Sequence, residues 1–402
     1  MGLRGFYNNN KSILLNYLNY GIFDFLLVII PIIIIPLFLD IFGKLGYGEI
    51  VLARVYALIA GVFIDFGYKN MGAKNIAKNK DSVLFFNSSF LIKVSAFVFT
   101  GFFYSLISFN FSSNPLLHIC FYLINIQTIL IPNFLFIGMG KFKDLSKIGF
   151  LVSISQILLF FSVLYQFQYL FLVPIVYFFS YVIGGIYSLI VLRKINNNYY
   201  RLISFSSVFV VWNENISFLK KNIVGIIKDK LSYLIIGYYS EKSMLFEYDL
   251  GMKFINLLSR PISIYSNVII KKSVEMSKDV IFFYKNLKVI FFVSIVFWLI
   301  LITSLPIVIS FITDLSINLN IIYVLTISLV FLNLSSFTVS NGLLVFNKSK
   351  EIFNSSIIVA LVFLTSVILL FQFINPLYSV VAATILSYFT EFIYLLWKTK
   401  KM

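Results

Sequence analysis

Charge is scarce in this chain of 402 residues: only 12% are Asp, Glu, Lys or Arg, while 60% are hydrophobic. With a mean hydropathy of +0.95, that composition excludes an ordinary soluble domain, in which about a quarter of the residues are charged. Cysteine is almost absent too. Cys120 stands alone, which excludes an intrachain disulfide and a cysteine-cluster metal site. The single histidine, His118, lies two residues away at a helix start and reads as structural or incidental. There is no HExxH and no GxSxG. Gly138-Met139-Gly140-Lys141 lacks the upstream glycine and the Ser/Thr that a phosphate loop requires, so ATP hydrolysis is not expected. Neither a metal nor an organic cofactor is implied, and no enzyme motif is found. Energy would come from an ion gradient, H+ or Na+, or from mass action.

What the chain has in abundance is apolar helix. A bilayer span takes roughly 20 apolar residues, so about twelve spans account for most of the hydrophobic positions and leave no room for a soluble domain. The expected class is an all-α integral membrane protein. Its spans are placed near 18–40, 48–67, 83–108, 115–138, 147–168, 172–192, 217–239, 244–269, 286–312, 319–345, 352–373 and 377–397. The first apolar run is long, contains Asp24 and is followed by many more spans, so it is read as a transmembrane helix and not as a cleavable signal. The longest polar interruption, 193–215, splits the chain into an N-terminal six-helix lobe (1–198), a cytoplasmic connector (199–215) and a C-terminal six-helix lobe (216–402).

Acidic residues number 16 against 32 basic ones. In a soluble protein the net charge of +16 would suggest nucleic acid, but here it is explained by topology. Of the 32 Lys and Arg residues, 24 fall in the N-terminal, C-terminal and even-numbered interspan segments or at the span ends that border them, and only Lys44 and Lys242 fall in the alternate loops. The positive-inside rule then places both termini in the cytoplasm. The remaining six lie within the spans: Arg54, Lys93, Lys228, Lys230, Lys253 and Arg260. An ionisable residue at bilayer depth costs at least about 2.5 kcal/mol unless it faces a cavity or finds a partner.

The segment 249–267, DLGMKFINLLSRPISIYSN, concentrates this problem. At about 100° per residue, Asp249, Lys253, Asn256, Arg260, Ser263 and Asn267 fall on one stripe of an otherwise apolar helix. Such a stripe predicts a helix lining a polar path, and Pro261 fits that setting. Arg54, with Asp65 and Gly61 on its face, is the corresponding cation of the first half. The two halves rhyme weakly through Tyr47–Arg54 and Phe246–Lys253, as an internal repeat would. Asp65 is expected at the cytoplasmic water boundary. Lys93, among Ser88, Ser89 and Ser95, either faces a lumen or snorkels, as do Lys228 and Lys230 beside Asp229. Asp24, Asp249 and Glu391, the last with Thr384, Ser387 and Tyr394, are the carboxylates available for ion coupling or as counter-ions to the cations. Pro31, Pro36 and Pro132 mark expected bends, and Ser180 with Gly184 a close helix contact.

Several segments, in order along the chain, are similar to bacterial polysaccharide repeat-unit flippases of the Wzx type. They are IDFGYKNMGAKNIAKNKDS (64–82), PNFLFIGMGKFKDL (132–145), LIIGYYSEKSMLFEYDLGMKFINLLSRPIS (234–263) and NGLLVFNKSKE (341–351). The resemblance implies a MATE-like fold of twelve helices in two lobes about a central cavity. It also implies an activity: flipping undecaprenyl-pyrophosphate-linked oligosaccharide from the inner to the outer leaflet of the bacterial inner membrane by alternating access, for O-antigen or capsule-type polymer. On that reading Arg54, Lys253 and Arg260 meet the pyrophosphate, and Asn256 and Asn267 contact sugar. The partners would be the lipid-linked glycan, membrane lipid, and the polymerase and chain-length regulator of the same pathway, with no nucleic acid. Lys253 falls where the family often carries a lysine, but Met252 stands where an acidic residue usually precedes it, and Asp249 substitutes one turn earlier. The rival readings are a drug or cation exporter of the same fold, a membrane polysaccharide polymerase, and a peptidoglycan-precursor flippase. The exporter would favour an acidic cavity, the polymerase needs a large outer loop, and the precursor flippase has more helices than are counted here.

Overall fold

The computed structural model describes residues 21, 25–26, 28–68, 72, 75–76, 81–201, 203–275, 280–312, 317–346 and 348–400. The secondary structure of these residues is helix, joined by turns and short loops. Helix α1 (Ile35–Asp65) is followed by α2 (Ser82–Phe111) and by a broken rod of α3 (Pro115–Leu123), a 3₁₀ turn (Ile124–Ile126), α4 (Gln127–Leu130) and α5 (Asn133–Gly138). Next come α6 (Phe142–Leu159), running into a π turn at Phe160–Leu164, and α7 (Leu172–Ile195). The chain continues with α8 (Phe205–Tyr239), α9 (Lys242–Glu275) and α10 (Val280–Ile312). The last rods are α11 (Leu319–Thr326), α12 (Ser328–Phe337) with its π turn at Thr338–Leu343, α13 (Ser349–Leu370) and α14 (Pro376–Lys400). Among the described residues, nine helical segments are long and apolar enough to cross a membrane. Helices α8 and α9, at 35 and 34 residues, are at least as long but carry more charge.

Local chemistry explains where the helices turn. Gly43 (φ 63°, ψ −177°) breaks α1 in a backbone region that side chains other than hydrogen all but forbid, and this is the expected turn between the first two spans. At the far end of α1, Phe66 and Gly67 both take positive φ and stop the helix directly after Asp65. Asp81 caps α2, its Oδ1 accepting from the Val83 and Leu84 amides at 3.0 and 3.2 Å. The bend expected at Pro132 is present: Ile131 and Pro132 leave helical geometry before α5 begins. Pro261, in contrast, is accommodated inside α9.

The chain forms two compact units, Met1–Ile30 with Glu49–Ile227, and Pro31–Gly48 with Lys228–Met402. The first has a core of Phe66, Tyr68, Phe85, Phe134 and Leu145 with residues from α6 to α8. The segment expected as a polar connector contributes to it. Helix α8 starts at Phe205, Val211 is buried, and Trp212 lies 4.1 Å from the Phe66 ring. Tyr199 is also buried, edge-on to Phe86 at 5.3 Å, and Asn87 bonds both the Asn198 carbonyl and the Tyr200 amide. Burial pushes the Tyr200 phenol above its ordinary range. The close contact expected from Ser180 and Gly184 is made by Gly184, whose missing side chain admits Val152 of α6.

The second unit is built on α9, α10, α12 and α14. Ile262, Phe283, Leu287 and Phe337 form one of its cores. Residues 31–48 belong to this unit, and Gly48 lies against the Lys242 carbonyl at the start of α9, where any β-carbon would collide with backbone. Outward-facing Phe99, Phe102, Phe103 and Ile107 on α2 are exposed, as lipid-facing residues are. Gly48→Ala is expected to lower the unfolding temperature of the detergent-solubilised protein by several degrees, because backbone cannot yield as a side-chain tip can. Gly225→Ala in α8, with nothing within 4 Å of the new methyl, should be neutral or slightly stabilising.

Candidate functional site

The charged stripe of α9 is fastened at its upper end. Asp249 is 8% exposed, and its Oδ2 accepts from the Lys253 ammonium at 2.8 Å, one helical turn on, and from the Tyr47 hydroxyl at 2.7 Å. Lys253 also donates to the Tyr47 oxygen and lies 5.1 Å from the centre of its ring. The three side chains close a ring of charge-assisted hydrogen bonds. Tyr47 is brought there by the segment after the Gly43 turn and is 1% exposed. It is held edge-on by Phe246 at 5.1 Å, while Lys44 reaches Glu247 at 3.7 Å on the same pair of elements. Asp249 therefore is a direct counter-ion to Lys253. Tyr47, read from the sequence only as a point of similarity between halves, is the third member.

Further along α9, Asn256 is exposed, Arg260 is half-buried and Ser259 is buried, with its hydroxyl returned to the Ile255 carbonyl at 2.8 Å. The side chains of Asn267 and Lys228 lie outside the described residues, as does Asp24. Lys230 lies 5.0 Å from the centre of the Tyr233 ring.

Glu391 on α14 is nearly buried. Of the polar residues on its helix face, Thr384 and Ser387 are buried, and the Tyr394 hydroxyl donates to Glu351 at 2.8 Å, within a clip closed by Lys398. Tyr388 lies within electrostatic reach of Asp229, Tyr248 and Glu391. Tyr248 bonds Thr384 at 3.3 Å and packs edge-on to Tyr233 at 5.0 Å. This phenol-rich cluster of α8, α9 and α14 lies wholly in the second unit.

In the first unit, Arg54 lines a small, partly open recess with Asn125, Gln127, Tyr177 and Tyr181. Tyr181 packs against the core of the first unit. The 3₁₀ break places Asn125 here, its amide donating to the Ala57 and Tyr122 carbonyls at 3.0 and 3.1 Å. Gly61 leaves room for the Asn125 oxygen.

Lys93 neither lines a lumen nor snorkels. It is 4% exposed, donates to Asp65 at 3.2 Å and to the Thr128 carbonyl at 3.1 Å, and lies over the Tyr68 and Phe134 rings at 5.5 and 5.2 Å. Asp65, the last residue of α1, is 21% exposed at its side chain and pairs with this lysine at 3.2 Å. The serines around Lys93 do not serve it: Ser88, Ser89 and Ser95 each bond a carbonyl of their own helix.

Helical architecture, span pattern and polar clusters define a multi-pass integral membrane protein, and its fold is that of MATE-type transporters. A multidrug resistance MATE transporter of the MOP superfamily, solved in an outward-facing conformation, aligns with a TM-score of 0.66 at 13% identity, covering 98% of this chain and 96% of that one. A MOP superfamily transporter from Pyrococcus furiosus, described as having a binding pocket of reversed polarity, aligns at 0.65 with 12% identity over 97% and 96%. A eukaryotic MATE transporter aligns at 0.65 with 13% identity over 99% and 97%. No curated protein sequence matches the chain. The model of the polysaccharide biosynthesis protein family matches residues 14–270, more than half of the chain, and the protein belongs to that family.

The Lys93–Asp65 pair is a structural latch, and removing one partner of a buried pair costs about 3–5 kcal/mol, less where water reaches one side. Lys93→Met and Asp65→Leu are each expected to lower the unfolding temperature. The double variant should be more stable than the sum of the two losses predicts. Additive losses in thermal unfolding would show that the pair is not coupled.

Proposed function

We propose that this protein flips undecaprenyl-pyrophosphate-linked oligosaccharide repeat units from the inner to the outer leaflet of the bacterial inner membrane, by alternating access through a cationic lumen. The observation that carries this reading is the placement of Lys253 and Arg260 on one stripe of an apolar helix, in a chain of the polysaccharide biosynthesis protein family. A pyrophosphate cannot cross hydrocarbon with its charge uncompensated. Side chains at membrane depth that can neutralise it are what such a transporter needs. Arg54 supplies a cation beside amides and phenols in the first unit, a setting suited to sugar hydroxyls and an anionic group. Asn256 and Asn267 extend the stripe on α9 as sugar contacts.

On this reading the chain has twelve transmembrane helices in two six-helix lobes, 1–198 and 216–402, joined through 199–215, with both termini cytoplasmic. Asp24, Asp249 and Glu391 are the groups through which H+ or Na+ would be coupled, with Asp249 also serving as counter-ion. The polymer would be of the O-antigen or capsule type, and the polymerase and chain-length regulator of its pathway would be neighbours. A multidrug exporter of the same fold is the alternative, and the family membership weighs against it.

Deleting the gene is expected to leave lipid-linked repeat units on the cytoplasmic side and to remove one surface polymer. Lys253→Ala and Arg260→Ala should reproduce that loss at unchanged protein level, measured by membrane immunoblot and by surface glycan staining. Normal surface polymer in both variants would sink the assignment of these cations.

A further inference from the structure

The Lys253 ammonium already holds an anion. Asp249 Oδ2 lies 2.8 Å from it, and the Tyr47 hydroxyl donates to that same oxygen at 2.7 Å while accepting from the lysine. The carboxylate is thus bonded from two sides, in a pocket where Asp249 and Lys253 side chains are only 11% and 14% exposed. Two physical consequences follow. The pair carries no net charge, so it offers an approaching anion far less attraction than a bare lysine would. An anionic group could reach Lys253 closely only by exchanging with the carboxylate, since two anions within about 4 Å of each other at one site repel strongly when water is largely excluded.

The geometry also shows how such an exchange stays reversible. Asp249 and Lys253 are one turn apart on the same helix, so the carboxylate is tethered beside the site whether or not it holds the lysine. Tyr47 comes from a different element, fixed by Phe246 and by the close approach of Gly48 to the start of α9. Its hydroxyl sets which position the carboxylate returns to. Tyr47 is a positioning residue in this scheme, because it acts on Lys253 through Asp249.

We propose that Asp249, held by Tyr47, is a resident competitor that exchanges with the phosphate group of the cargo at Lys253, so that it weakens binding and speeds release. This rests on the flippase reading for the identity of the anion and deepens it by assigning how the anion leaves. A transporter must let go of its cargo on the far side, and a built-in anion of matched chemistry provides a low-barrier route for that step.

The test uses the full-length protein in lipid nanodiscs and inorganic pyrophosphate as the probe, with binding read by calorimetry. Asp249→Asn, which retains the shape but removes the charge, is expected to tighten pyrophosphate at least tenfold. Tyr47→Phe should tighten it two- to fivefold by loosening the carboxylate. Lys253→Ala should abolish binding, and Lys253→Ala with Asp249→Asn should not restore it, although the double variant recovers the unfolding temperature lost by the single one. In cells, Asp249→Asn should reduce surface polymer despite its tighter binding, a combination that a merely structural role would not produce. Unchanged or weaker pyrophosphate affinity in Asp249→Asn, or no measurable binding in either it or the parent protein, overturns the proposal. Precursor accumulation in the deletion strain reads the flippase assignment separately, so failure of one is distinguishable from failure of the other.

Discussion

A charge inside a membrane protein must be answered by another group, because the surrounding hydrocarbon cannot answer it. Much of the polar architecture follows from that constraint. Lys93 is answered by Asp65 and a backbone carbonyl under two aromatic rings, and Lys253 by Asp249 and Tyr47. Smaller polar groups obey the same rule locally. The hydroxyls of Ser180, Ser266, Thr338 and Thr384 all return to carbonyls one turn back in their own helices.

These ion pairs differ in what they can do. Lys93 is enclosed, with an acid, a carbonyl and two rings around it, and joins α1, α2 and the broken α3–α5 rod. That arrangement suits a permanent join. The Asp249 and Lys253 pair lies within one helix, so exchanging its partner unfastens no helix from another except through the Tyr47 hydroxyl. A site of this kind can change partners while its helix stays packed. Glu391, Tyr388 and Tyr248 belong to a different kind of site, a buried cluster dominated by phenols.

Much of this was legible in the residues. The Gly43 turn, the stop at Asp65-Phe66-Gly67, the bend at Pro132 and the charged character of 249–267 all have local causes, in backbone freedom, missing donors or helical spacing. The candidate site was legible as a list of cations, not as a geometry. Lys93 illustrates why. Three serines within a turn or two suggested a polar environment, yet each serine serves its own helix and the true partner lies 28 residues upstream. The segment 199–215 shows the same limit: Val211 and Trp212 stand among other apolar residues, and only the fold shows that Val211 is buried and that Trp212 lies against Phe66, far upstream in the chain.

By itself, then, the sequence determined the all-helical membrane class, most turns and which few residues would be costly to place. Those properties depend on hydropathy and backbone conformation, which act within a turn or two of chain. Only the tertiary structure decided the partners. Spans that are apolar on all sides carry no periodicity to say which face meets which neighbour. The bond from Tyr47 to Asp249, between residues 202 positions apart, therefore has no local signature. It exists because Gly43 turns the chain, Gly48 lets backbone approach backbone, and the helix of 242–275 presents the buried Asp249 carboxylate at that level.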